Sequence, residues 1–309
     1  MPKKFAFSDD GSRYHTLKYH NRRFWGRPVY KAVVDAGFTC PNIDGSCGVG
    51  GCVYCSGGSG YFTAPELSVR EQILRETERI HAVHPEAGII AYFQAHTNTY
   101  GTLGRLREVY SEALECEICG ISIATRADCL DRERAELLAS LGVPVTLELG
   151  LQTAHDSTAR LINRGHDLAR FTEGFNTARN AGLRICVHII NGLPGESTEM
   201  MLQTAEILGK MRPDGVKIHL LHVIKGTPLA GMYISGEYTP MERESYIETV
   251  VKQLEYLPPE TVIERLTGDG GRDSLLAPLW SLDKRAVLGG VMKRQKQLDS
   301  IQGLRFQEG

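Results

Sequence analysis

Apolar runs of strand length alternate with helical patterns along most of the chain. Residues 30–36 read as a first strand, which opens into a Gly- and Cys-rich loop over 37–60. Ser68-Val69-Arg70-Glu71 is a capping box, and it starts a helix running to about Ala82. Strands at 88–95, 118–125, 143–151, 183–190 and 215–223 then alternate with helices at 102–114, 131–141, within 157–181, 199–211 and 241–254. Repeated βα units with right-handed crossovers predict a parallel sheet with helices outside it. The expected architecture is α/β: a barrel or partial barrel over 30–255, with a doubly wound open sheet as the alternative. Residues 1–29 form an N-terminal segment, and 256–309 an extension packing on the barrel.

The strands carry a second pattern. Thr146, Glu148, Gly150 and Gln152 share one face, and Val145, Leu147, Leu149 and Leu151 the other. Arg184, Cys186 and His188 alternate with Ile185, Val187 and Ile189; Lys217 and His219 alternate with Val216, Ile218 and Leu220. Parallel strands covered on both sides read as continuous apolar runs. A polar face repeated in three successive strands therefore predicts a cavity for a polar ligand; a solvated edge is the plainer alternative.

Composition sets the setting. The 309 residues include no apolar run of membrane-spanning length, roughly 18 residues. The start, Met1-Pro2-Lys3-Lys4-Phe5, lacks a signal-peptide core, so a cytoplasmic location is expected and the eight cysteines should be reduced. Net charge is −2, but residues 1–40 carry eight Lys/Arg against three Asp, and 284–309 six against two acids. Basic segments thus flank an acidic middle.

The cysteine loop runs Cys40-Pro-Asn-Ile-Asp-Gly-Ser-Cys47-Gly-Val-Gly-Gly-Cys52-Val-Tyr-Cys55. A Cys-x-x-Cys pair suits neighbouring irons of one cluster, and the glycines let backbone wrap an inorganic core. A four-cysteine zinc site is the rival, although such sites usually bring two Cys-x-x-Cys knuckles and this loop has one. Cys116 and Cys119 form a second pair at a helix-to-strand junction, where core packing is the simpler reading, as it is for Cys129 and Cys186.

The stretch from Asp35 to Ser46, closing in Gly50-Gly51-Cys52-Val-Tyr-Cys55, resembles the cluster loop of a bacterial radical-SAM subfamily related to the catalytic subunit of elongator, the MnmL-type tRNA wobble-uridine enzymes. Eleven residues separate Cys40 from Cys52, as in that subfamily. The resemblance extends through Phe93-Gln-Ala-His-Thr-Asn-Thr-Tyr100, Glu148-Leu-Gly-Leu-Gln152, Ile162-Asn-Arg-Gly-His166, Asn191-Gly-Leu-Pro-Gly-Glu196, His219-Leu-Leu-His-Val-Ile-Lys-Gly226 and Arg265-Leu-Thr-Gly-Asp-Gly270. Where the superfamily pattern Gly-x-Ile-x-Gly has its first glycine, this chain has His188. The chain is too short for elongator's acetyltransferase domain.

The resemblance implies a partial (β/α)6 TIM-like barrel with N- and C-terminal extensions. It also implies a [4Fe–4S] cluster on Cys40, Cys52 and Cys55, with Cys47 a free thiol. S-adenosylmethionine would chelate the open iron and yield a 5′-deoxyadenosyl radical. By the same resemblance Tyr54 lies near the adenine, Gln152 meets the ribose, Arg164 the methionyl carboxylate and Glu148 the amino group, with Ile190 and Gly192 completing the cofactor site. The plainer reading makes Glu148 and Arg164 a structural ion pair. Lys217 and His219 are substrate-pocket candidates, and His96 a weaker one. The implied reaction converts a carboxymethylaminomethyl group at carbon 5 of the tRNA wobble uridine towards aminomethyl. tRNA, held by basic ends such as Arg22-Arg23 beside Phe24-Trp25, and an electron donor such as flavodoxin or ferredoxin are the expected partners. A small metabolite or a protein is the alternative substrate, and a non-catalytic zinc module a remote one.

Overall fold

A computed structural model describes residues 4–56, 64–268 and 270–307. Its elements in chain order are α1 (Leu17–Trp25), β1 (Val29–Val34), α2 (Val69–His81), β2 (Gly88–Phe93), α3 (Leu103–Leu114), β3 (Gly120–Thr125), α4 (Arg132–Ala139), β4 (Val145–Gln152), α5 (Asp156–Leu161) and α6 (Leu168–Asn180). There follow β5 (Arg184–Asn191), α7 (Thr198–Met211), β6 (Gly215–Leu220), β7 (Val223–Ile224), α8 (Pro228–Ile234), α9 (Arg243–Tyr256), β8 (Val262–Arg265), β9 (Leu275–Ala277) and α10 (Lys284–Gln297).

Among the described residues, β1 to β6 and β8 form one parallel sheet in sequence order. The sheet curls into a half-barrel, the partial TIM architecture expected. Helix starts follow local chemistry. Ser68 Oγ accepts from the Glu71 amide, and Glu71 accepts from the Ser68 amide at 2.8 Å, so the capping box is closed. Thr102, Asp131, Asp167, Ser197 and Thr227 cap their helices in the same manner.

The alternation in the strands sorts the two faces. Leu147, Leu149, Ile185, Val187, Val216 and Ile218 are buried in the main core with Phe93, Phe171, Tyr246 and Leu254. Fully burying one such side chain contributes about 1.5–3 kcal/mol, so this layer fixes the sheet's register against its helices. The opposite face, with Glu148, His188 and Lys217, turns into the lumen.

Two features depart from the expected elements. The run at 215–223 splits: β6 ends at Leu220, and Val223–Ile224 turns off to pair antiparallel with β9. The seventh strand, β8, lies beyond residue 255 and pairs with β6. The N-terminal segment is tied to it, because Ile263 N donates to His15 O at 2.8 Å and Thr16 bridges Ile263. Gln302 joins the same junction by accepting from His15 N and donating to Pro258 O and Thr261 O.

Candidate functional site

The cysteine loop leaves the C-terminal end of β1 and folds onto the connection between α5 and α6. Val53 N donates to Ile162 O at 3.1 Å, and Leu229 N donates to Val53 O at 2.9 Å. Asn163 holds left-handed backbone, φ 53°, and its amide donates to Val49 O and Gly51 O at 3.2 and 2.8 Å. Asn42, fully buried, donates to Asn163 O at 2.5 Å and to Cys52 Sγ at 3.7 Å. A Cβ on Gly165 would come 2.7 Å from Asn42 Oδ1, and one on Gly48 would clash with that oxygen outright. The loop is therefore laced by two asparagines and closed by two glycines. Sequence reading did not single out Asn42 or assign Asn163 a role; the Asn-Arg-Gly run at 163–165 was the available signal.

Cys40, Cys52 and Cys55 are partly buried, whereas Cys47 is exposed. Burial pushes the Cys52 thiol up, while a hydrogen bond from Tyr54 and the charge of Arg126 oppose that rise. Arg126 also feels Cys40, pairs with Asp128 at 2.7 Å and donates to Arg164 O at 2.7 Å. Among the described residues no three His, Cys, Asp or Glu side chains converge on a single-ion site. The Tyr54 ring packs with Ile190 against a small core of Ile162, Leu193, Leu221, Val223 and Tyr238.

Arg164 is buried at 2 % exposure. Its Nη1 donates to Leu151 O and to Thr153 O at 2.6 Å, and its Nε to His166 O at 2.9 Å. Its Nη2 finds no partner among the described residues. A buried guanidinium held by three carbonyls, with one nitrogen free and no carboxylate against it, fits the carboxylate of an amino-acid ligand. The Glu148–Arg164 ion pair is absent. Gln152 ends β4 with φ 64°, and its amide folds over Gly150, where a Cβ would sit 2.7 Å from Nε2. Gly192 takes φ 84°, its amide faces Met201 Sδ, and its carbonyl accepts from Tyr238. The left-handed backbone favours glycine here, and a Cβ would also meet Met241 Cγ at 3.0 Å.

Glu148 lies buried on β4. Its Oε1 accepts from Lys31 at 2.5 Å and Ser122 at 2.7 Å; its Oε2 accepts from Lys217, Tyr92 at 2.9 Å and His188 at 2.9 Å. Both oxygens are engaged inside the lumen, and Glu148 is the hub of a charge network. Burial opposes its ionisation, but Lys217 and Lys31 hold its carboxyl well below the ordinary range. Glu264 joins from β8, 3.3 Å from Lys31.

The network brings Lys217 into the lumen and places His219 just beyond it on β6, its ring 5.2 Å from that of His188. His219 Nε2 is buried without a partner among the described residues. Burial, then the neighbouring His188, holds the His219 imidazole neutral. Thr97, Asn98 and Thr99, beside His96, brace strand ends instead: Asn98 donates to Ala95 O and Ala124 O, and Thr99 meets Thr125 at 2.6 Å. Cys119 accepts from Arg27 at 3.2 Å near the start of β3, while Cys116 packs against the main core. Cys186 is buried in β5. Both ends of the chain contribute basic helices, but Arg22 is held by Asp9 at 2.7 Å and Arg294 by Glu248 at 2.5 Å.

Among the described residues no helix is long and apolar enough to cross a membrane. The chain is 43 % identical to the protein YtqA of Bacillus subtilis (strain 168) over 308 residues, spanning 98 % of this chain and 96 % of that one. It is 33 % identical to the Homo sapiens Elongator complex protein 3 over 164 residues, 52 % of this chain and 30 % of the larger protein. The structure of archaeal Methanocaldococcus infernus Elp3 lacking residues 1–46 superposes with a TM-score of 0.64 at 20 % identity, covering 86 % of this chain and 64 % of that one. Residues 45–208 match the Radical SAM superfamily, and residues 213–297 the Radical_SAM C-terminal domain. The chain belongs to the radical SAM superfamily, whose members' chemistry implies a [4Fe–4S] cluster and S-adenosylmethionine.

Proposed function

We propose that this radical SAM enzyme modifies the carbon-5 side chain of the tRNA wobble uridine, processing carboxymethylaminomethyl towards aminomethyl. When bound, the cluster and S-adenosylmethionine supply a 5′-deoxyadenosyl radical that removes a hydrogen atom from an unreactive carbon. The chain's own residues bind, orient and shield. Cys40, Cys52 and Cys55 ligate the cluster, and Cys47 stays outside it. Arg164 Nη2 takes the methionyl carboxylate, Gln152 the ribose, and Tyr54, Ile190 and Gly192 border the adenine. The neutral imidazole of His219 and the ammonium of Lys217 line the lumen where the substrate enters. A low-potential flavodoxin or ferredoxin supplies electrons.

The observation that carries the RNA reading is the likeness to Elongator complex protein 3 over 164 residues, in the subfamily whose cluster loop this chain resembles. Exposed Lys293 and Lys296 on α10 add phosphate-binding capacity. Nucleoside mass spectrometry of tRNA from cells with and without the protein tests it. The carboxymethylaminomethyl form should accumulate, and the aminomethyl form fall, when the protein is missing. Unchanged wobble-uridine profiles would reject the RNA substrate and leave a metabolite or protein in its place.

A further inference from the structure

The opposite end of the half-barrel holds a second concavity. Helix α1 lies across the N-terminal ends of the strands, and beneath it is a cavity of about 540 Å³. That volume is within the range of small-molecule sites, roughly 300–1,000 Å³. Phe24, Trp25, Pro144 and Ile90 give it apolar walls, and Lys31, Arg184 and Glu264 line it from the strands. The cysteine loop leaves the other ends of the strands, so the cofactor site and this cavity are distinct.

The charges that the strands bring to it do not cancel. Lys31 is spent on Glu148 and Glu264, and Lys217 behind it on the same two carboxylates. That leaves Arg184, which has no hydrogen-bond or ion-pair partner among the described residues. Neighbouring His20 adds no charge at neutral pH, because burial and then Arg184 itself push it down to about 4. Lys31, Lys217 and Arg184 against Glu148 and Glu264 leave one positive charge, that of Arg184, against mostly apolar walls; Lys18 and Arg22, the latter held by Asp9, line the cavity on the α1 side. A guanidinium fork matches a carboxylate with two parallel bonds. A phosphate dianion would bring surplus negative charge beside Glu264 and leave the apolar walls unused.

We propose that this cavity binds a small amphipathic monocarboxylate, its apolar body against Phe24, Trp25 and Pro144 and its carboxylate on Arg184. The site is independent of the substrate assigned above, and its test reads binding alone. The chain has two tryptophans; Trp280 donates to Met241 O elsewhere, so Trp25 reports on the cavity. The full chain is titrated with octanoate and with octanol, its uncharged counterpart, by calorimetry and Trp25 fluorescence. Octanoate should saturate one site and bind at least about 10-fold more tightly than octanol. Arg184→Gln should weaken octanoate by about 10- to 100-fold, the loss of one charge-assisted contact, and leave octanol unchanged. Trp25→Phe should abolish the cavity's fluorescence response while calorimetric binding persists. Equal affinity for octanoate and octanol in the parent protein overturns the proposal without any variant. So does unchanged octanoate binding in Arg184→Gln, or no octanoate binding up to millimolar concentration.

Discussion

Two buried charged residues, Arg164 and Glu148, illustrate how differently a single side chain can be legible. Arg164 was marked by its place in the Asn-Arg-Gly run, and its environment suits the assigned role: three carbonyls hold it and Nη2 points to no protein partner. Arg164→Gln should therefore leave iron and sulfide content after anaerobic reconstitution unchanged while weakening S-adenosylmethionine by about 10- to 100-fold. Calorimetry with the reconstituted protein checks this, and undiminished affinity would remove Arg164 from the cofactor site. Glu148 was legible as an inward-facing acid, with a cofactor role by resemblance, but its partners were not. Its partners Lys31, Tyr92, Ser122, His188 and Lys217 come from five other strands, and no spacing along the chain announces which cation reaches which carboxylate. Removing one member of such a buried set leaves the others uncompensated, so Glu148 serves the fold before any ligand.

At the scale of elements, periodicity located β1 to β6, the helices α2 to α7 and α9, because long amphipathic segments advertise themselves, but not β7 or α8. The missed pieces are short or atypical. Strand β8 is four residues, with one buried pair, Val262 and Ile263, after two prolines. Helix α1 has no fully buried residue, so its period carries little signal. The cysteine loop was legible through its glycines and thiols, but its clamp was not, since Asn42 and Asn163 lie far apart in the chain. That clamp predicts a specific sensitivity. Gly48→Ala drives a methyl group into Asn42 Oδ1, which cannot retreat because its amide is bonded to Asn163 O. Overpacking of this kind costs about 1–3 kcal/mol. Reconstituted Gly48→Ala should hold several-fold less iron than the parent, while Cys47→Ser holds the full amount. Full iron in Gly48→Ala would show that the clamp does not govern the loop.

For the molecule as a whole, buried imidazoles set its tolerance of acid. Burial is the largest cause in His20, His166 and His222, each pushed down to about 4. The unfolded chain protonates them near 6.5, about the ordinary value, so it binds more protons than the folded one between the two. Their contribution to stability is fully present above pH 6.5 and is lost as pH falls towards 4. The thermal midpoint should drop steeply across that window, with proton uptake on unfolding of three or more, because burial lowers His15, His188 and His219 as well, and His20→Asn should flatten the slope. A midpoint constant from pH 7 to 4.5 would contradict the burial of these rings. The sheet's two margins have a further consequence. A closed barrel has its girth set by strand number and stagger. Here β1 and β8 meet through side chains, Lys31 on one and Glu264 on the other, with Glu148 between them. The aperture is thus governed by the reach of a few side chains, so it can be retuned by exchanging one of them while every backbone ladder stays intact. In a protein of this design, accommodating a bulkier guest needs no new strand, only a longer or shorter clasp.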